Sequence, residues 1–362
     1  MIAVRKSHVP NLVRTYGWER LRAAYPQWTD EDLWQLLRES SWIYDFEPFT
    51  QLRVRPVAGR FVTIDPAGFR HVADQAPWPP EPGRFTIFTF GGSNTLGSGL
   101  PDGETIPSVL QALIRQIRPD AQIYNFGRSY FYSTQERILF EQQLLHGRCP
   151  DLAIFVDGLN EFVYPNDEPQ WSQALVNMVS TRQKAVTSPI SSGWSVIRWF
   201  LRTGTRRLVS RMTGRPRPVK PVVPDGDSID ATCRRWFRNR SIIEAVAAEF
   251  AVRTAYVLQP VPMYGYDLSH HLFRLRDDDL TFGPFLPARR GYERLLDGLQ
   301  NDRAGANTLW LGDLQQDYRR NLYVDNVHYD AFFSAVIARK IFDFLQERKL
   351  LQSGANTMPV GE

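Results

Sequence analysis

Ser93 stands on a glycine-flanked turn, Gly91-Gly92-Ser93, and far downstream Asp325 and His328 sit three apart in VDNVHYD. Between them lie two more polar turns, Asn125-Phe126-Gly127 and Gly158-Leu159-Asn160-Glu161. Acyl transfer needs a nucleophile, a base within hydrogen-bond reach, an orienting carboxylate and oxyanion donors. Ser93 can attack and His328 can take its proton. Asp325 can accept from the other imidazole nitrogen and so fix the tautomer. The backbone N–H groups of Ser93 and Gly127, with the side-chain amide of Asn160, can hold a tetrahedral oxyanion, each donor being worth on the order of 3 kcal/mol. Taken singly, each piece also has a plainer reading. Ser93 can cap a strand-to-helix turn, Asn160 can be a turn or N-cap residue, and Asp325 can start a helix with His328 on its surface. Only their joint placement separates the two sets of roles.

That placement depends on the elements around them. Phe85 to Phe90 (FTIFTF) reads as a buried strand that ends at Gly91-Gly92. A helix follows near Glu104, with Pro107 tolerable only in its first turn. Then come strand 121–126, a helix opened by a Ser133/Glu136 capping box with Gly147 as its C′ residue, and strand 152–157. After a long insertion, helix 241–252 precedes strand 254–260. Strand 307–313 precedes an amphipathic helix from Ala331. Strands alternating with helices predict an α/β fold with a parallel sheet covered on both faces and right-handed crossovers. Open sheets of this kind bind ligands beyond the carboxyl ends of their strands. Ser93, Gly127 and Asn160 fall at those ends, and Asp325 and His328 lie beyond the last strand.

Ahead of the alternation, residues 1–84 read as an extension packed on the main domain. Thr29 is an N-cap candidate before Leu33, Leu36 and Leu37, a hairpin is expected around Gly59, and PWPPEPG forms a stiff connector. The main domain spans 85–350, with the insertion at roughly 165–235, and 351–362 is a tail. The 362 residues are 43% hydrophobic and 23% charged, which marks a globular chain. The net charge of +4 is too small to imply a nucleic-acid partner. Neither a run of 18 apolar residues nor a secretory apolar core is present, so the chain reads as soluble and cytoplasmic as given. Cys149 and Cys233 form no CxxC pair; Cys149 reads as a buried small residue. His270-His271 read as surface or pocket-rim residues, and Asp277 to Asp279 as a solvated charge run.

Other chemistries lack their parts. There is no P-loop, no HExxH, no complete dinucleotide fingerprint, and no G-x-S-x-G elbow, since Thr95 stands two after Ser93. The reading requires neither a cofactor nor a metal.

With GGSNTLG (91–97), NFG (125–127), GLNE (158–161) and DNVH (325–328) in this order, the chain resembles the SGNH hydrolases, the GDSL-type esterase/lipase superfamily. The match covers about residues 85 to 350. Gly92 replaces the usual Asp beside the nucleophile, and Glu161 replaces the Asp after the Asn of the third block. The resemblance implies a flavodoxin-like three-layer α/β/α sandwich with a five-stranded parallel sheet. It also implies metal-free hydrolysis of carboxylic esters, including acyl lipids and O-acetylated sugars. An acyltransferase with the same triad and a non-catalytic binding module of the same fold are the alternatives. In the insertion, Ile197, Leu201, Leu208 and Met212 fall broadly opposite Arg198, Arg202, Arg206 and Arg211. That pattern suits a solvated basic helix, a lid, or a membrane-surface element at residues 190–215. Tyr130, Phe131, Tyr132, Tyr164 and Trp171 are candidates to line a pocket.

Overall fold

In the computed structural model, the described residues are 9–164, 167, 226–275, 277–301 and 305–352. The chain divides into two units, Met1–Asp167 with Pro224–Glu362, and Glu168–Val223. The second unit, and with it residues 190–215 and Trp171, lies outside the described residues, as does most of the tail.

Before the sheet come helices α1 (Asn11–Tyr16), α2 (Trp18–Ala24) and α3 (Asp30–Glu39). Thr29 caps α3 by accepting from Asp32 N at 3.1 Å, as its position predicts. Two antiparallel pairs follow. They are β1 (Tyr44–Glu47) with β2 (Gln51–Val54), and β3 (Val57–Ala58) with β4 (Thr63–Ile64), the second of which turns around Gly59. The N-terminal helices share a core with later parts of the chain: Leu21, Leu33, Leu36 and Leu37 bury against Leu100, Phe273 and Val324.

The main alternation runs β5 (Thr86–Gly91), α4 (Ser93–Leu96), α5 (Ile106–Arg115), β6 (Gln122–Asn125), α6 (Ser133–Leu145) and β7 (Leu152–Asp157). It continues with α7 (Gly226–Glu249), β8 (Arg253–Leu258), α8 (Asp278–Phe282), α9 (Ala288–Asn301), β9 (Thr308–Trp310) and α10 (Ala331–Glu347). The five parallel strands lie in the order β6-β5-β7-β8-β9. Counted along the chain this is 2-1-3-4-5, the flavodoxin-like arrangement, and its switch point falls between β5 and β7.

Alternation along the strands splits the core in two. Phe88, Phe90, Phe155 and Tyr256 face α6, α7 and α9, whereas Ile87, Ile154, Val156 and Val257 face α5 and α10. On the aromatic face a ladder crosses three strands and the residue that follows β6. Phe90 stacks on Phe126 at 5.6 Å and on Phe155 at 5.0 Å, and Phe155 stacks on Tyr256 at 5.5 Å. Such pairs add about 0.5–1.5 kcal/mol each beyond their buried area. Most of this packing sits directly beneath the strand ends that carry the polar turns.

Two local expectations are overturned. Helix α7 is helical from residue 226, not 241, so residues 226–235 belong to the main unit and not to an insertion. Its arginines suggest a solvated segment, but Ile229, Cys233, Trp236, Arg240, Ile243 and Ala247 continue one buried stripe. The Ser133/Glu136 capping box does not form. Tyr132 is the N-cap, and the carboxylate of Glu161 accepts instead from Ser133 N and Ser133 Oγ. Glu136 turns inward to Asp157. At the other end of α6, Gly147 adopts φ +71° as the C′ residue, as expected.

Candidate active site

Ser93 opens α4, the one-turn helix that follows β5, and Gly92 is its N-cap. The turn closes through Gly97 N and Ser98 N, which donate to Ser93 O at 3.0 Å each, with Gly97 in the left-handed region at φ +82°. Below it, the buried Arg70 guanidinium donates to the carbonyls of Leu96, Gly97 and Leu100 at 2.8, 2.5 and 2.5 Å. A cation at the carboxyl end of α4 satisfies carbonyls that a one-turn helix leaves open.

His328 reaches this turn from the loop after β9. Its Nε2 lies 2.7 Å from Ser93 Oγ, and its Nδ1 lies 2.5 Å from Asp325 Oδ2. The other oxygen, Oδ1, accepts from Val327 N at 2.9 Å and His328 N at 2.8 Å. Asp325 therefore shapes the loop and orients the imidazole at once. Burial pushes its carboxyl up, but the His328 ring and these donors outweigh burial and hold it below the usual range. It does not cap a helix; Asp330 caps α10, accepting from Phe333 N at 2.7 Å.

Asn94 is a residue whose role the sequence did not suggest. Its side chain donates to Val327 O and accepts from Tyr329 N, both at 3.3 Å. The neighbour of the serine thus grips the chain on either side of His328. No motif signals this, because both partners are backbone groups more than two hundred residues away.

Asn160 follows β7, across the switch point from Ser93, and its Nδ2 donates to Phe131 O at 2.7 Å. One amide hydrogen is used there, and the other has no acceptor among the described residues. The adjoining Glu161 accepts from Arg235 Nη2 at 3.2 Å as well as from Ser133, which ties the Asn160 turn to α6 and α7. Behind it, burial and then the Glu161 charge push Asp157 up to about 7. Burial, then the Asp157 charge, pushes Glu136 well above the carboxylate range.

Gly127 stands elsewhere than expected. Its N–H donates to Asn125 Oδ1 at 2.9 Å, and its Cα faces the backbone of Thr95 and Leu96, where no side chain fits. Its smallness lets β6 and α4 approach; its N–H is already spent. The same loop reaches the pocket two to three residues later, at Ser129 and Tyr130. Tyr130 has φ +66°, and its N–H donates to no acceptor among the described residues.

Ser93, Asn160, Asp325 and His328 open on a pocket of about 330 Å³. Part of its wall comes from ahead of the sheet, through Leu12, Leu37, Ser40, Trp42 and Tyr44. Of the aromatic candidates, Tyr130 lines the pocket, whereas Phe131, Tyr132 and Tyr164 are buried in packing. Among the described residues no lysine or arginine lines it. A hollow of about 410 Å³ at the opposite strand ends, lined by Arg84, Arg118 and Cys149 among others, holds none of these residues. Cys149 is exposed there, contrary to expectation, because the turn after Gly147 runs over the surface.

His271 is not a rim residue either. It is 5% exposed, stacks on Tyr323 at 4.8 Å, accepts from Phe273 N through Nδ1, and meets Asn326 O through Nε2 at 3.2 Å. It thus supports the Asp325–His328 loop from below as a neutral ring. Burial lowers it from 6.5 to about 4. At about 1.4 kcal/mol per tenfold change in proton affinity, this is on the order of 3 kcal/mol. Between pH 6.5 and 4 the unfolded chain binds a proton that the folded chain does not. The contribution is therefore complete above pH 6.5, shrinks as pH falls, and levels off below about 4. Urea unfolding across this range is expected to show a shallower pH slope in His271→Asn than in the native chain; equal slopes would contradict the assignment.

Among the described residues no group of three His, Cys, Asp or Glu side chains is placed to hold a metal ion, and no helix is long and apolar enough to cross a membrane. No protein-family model and no curated protein matches the chain. Similar solved structures include a protein assigned to the lipolytic G-D-S-L family from Desulfitobacterium hafniense DCB-2, at 10% identity and a TM-score of 0.40, covering 72% of this chain and 100% of that one. An acetyl xylan esterase matches at 11% identity and 0.39, covering 71% of this chain and 98% of its own. A carbohydrate acetylesterase family member from Sinorhizobium meliloti matches at 15% and 0.35, covering 73% and 98%. By its own strand order and layers, the chain has the flavodoxin-like α/β/α fold.

Proposed function

We propose that the chain is a serine esterase of the SGNH type, acting on a neutral carboxylic ester through an acyl-enzyme. The observation that carries this is the unbroken line Asp325–His328–Ser93, with spacings of 2.5 and 2.7 Å. His328 accepts the Ser93 proton as Oγ attacks the carbonyl carbon, and Asp325 stabilises the imidazolium. The tetrahedral oxyanion is held by Ser93 N–H, the free amide hydrogen of Asn160 and, in place of Gly127, the N–H of Tyr130. His328 then protonates the leaving alcohol. Water enters, gives its proton to His328, and releases the acid by the reverse path.

The pocket lining supports the substrate class. Trp42, Tyr44, Leu12 and Leu37 offer apolar surface, and Ser40 and Ser98 offer neutral hydrogen-bonding groups. With no lysine or arginine among the described residues of the wall, a substrate carboxylate or phosphate would find no cationic partner there. The intact chain is therefore expected to turn over uncharged p-nitrophenyl esters, and to disfavour an equally long ester ending in a carboxylate by tenfold or more in kcat/KM, about 1.4 kcal/mol. Acid and p-nitrophenol should appear in equal amounts. Failure to turn over any chain length would overturn the esterase reading, and acylation of an added alcohol in preference to water would replace it with an acyltransferase.

A further inference from the structure

Gly92 stands beside the nucleophile where the family that the chain resembles usually has Asp, and the mechanism gives it no task. Its backbone, φ −78° and ψ −158°, is open to any residue, so conformation does not demand glycine. Space does. A Cβ built on Gly92 would lie 2.5 Å from Asn160 Nδ2, closer than real Cβ contacts allow, and 3.3 Å from Phe131 O. Asn160 cannot yield cheaply: it is buried, and its amide is tied to that same Phe131 carbonyl at 2.7 Å. The bare Cα of residue 92 and the amide of Asn160 occupy one another's space.

We propose that Gly92 is a positioning residue for Asn160: its missing side chain lets the amide sit against the nucleophile turn with its second hydrogen available to the oxyanion. This rests on the oxyanion role proposed above for Asn160. Any side chain at residue 92 then displaces Asn160 and removes one oxyanion donor while leaving the Ser93–His328–Asp325 line intact. The departures at residues 92 and 161 are linked in this view. Glu161 anchors the Asn160 turn to Ser133 and Arg235, and Gly92 clears the place to which that anchoring brings the amide.

The test is a double-mutant cycle on kcat with a neutral p-nitrophenyl ester. Removing one oxyanion donor costs about 10²–10³ in kcat. Gly92→Ala is expected to fall by that order with KM changed less than about threefold and an unaltered pH profile. Gly92→Ala combined with Asn160→Ala should be no slower than Asn160→Ala alone, because both changes remove the same interaction. Native kcat in folded Gly92→Ala, or penalties that multiply in the double variant, would overturn the proposal. Native kcat in Asn160→Ala would instead remove the oxyanion role beneath it. Should Gly92→Ala not fold, Gly92→Ala with Asn160→Gly lacks the colliding atom and is expected to fold; if it does not, the proposal also fails.

Discussion

Ser93→Ala is expected to lower kcat for a short neutral ester by about 10⁵–10⁶, the scale of removing the nucleophile from a hydrogen-bonded triad. The fold should hardly register the change. Among the described side chains Ser93 Oγ meets only His328 Nε2, and the α4 turn is closed by Ser93 O, which the substitution retains. The loss is one hydrogen bond of about 1 kcal/mol. Circular dichroism and urea unfolding should therefore overlay those of the native chain while turnover vanishes. Near-native turnover in the folded variant would mean that another group attacks.

Asp325→Asn carries the second-largest expected effect, about 10⁴ in kcat with KM little changed. Asp325 does two things through separate oxygens. Oδ1 holds Val327 N and His328 N, and Oδ2 holds His328 Nδ1. An amide in its place can keep the loop through its oxygen, but its nitrogen faces Nδ1 as a donor. The imidazole must then carry its proton on Nε2, where it can no longer accept from Ser93 Oγ. Steady-state kinetics with an active-site titration would separate this from misfolding. A loss below tenfold would show that Asp325 only shapes the loop.

Much of this site was legible because its parts are local. Gly91-Gly92-Ser93 and Asn160 each follow a strand whose buried residues are contiguous, and such strands can be recognised without tertiary information. The same holds for the five-stranded parallel sheet. The illegible parts depend on long-range pairing. The spacing of Ser133 and Glu136 suits a capping box, but Glu161 outcompetes Glu136 for the helix terminus from another loop. NFG matches the expected block, but Asn125 folds back on Gly127 and uses its N–H. His271 beside His270 looks exposed until Tyr323 and Asn326 close over it. In α7 the buried stripe was present in the sequence but obscured by arginines, of which Arg235 pairs with Glu161 and Arg240 with Glu244. The wall from Leu12 to Tyr44 had no signal, because pocket-lining residues there carry no motif.

The central claim is that Ser93 is a nucleophile activated by His328. Reacting the folded chain with a fluorophosphonate and mapping the adduct by peptide mass spectrometry tests it most directly. The expected result is a single modified peptide containing Ser93, lost in Ser93→Ala and slowed by several orders of magnitude in His328→Ala. An unlabelled folded chain, or an adduct on another residue that survives Ser93→Ala, would contradict it.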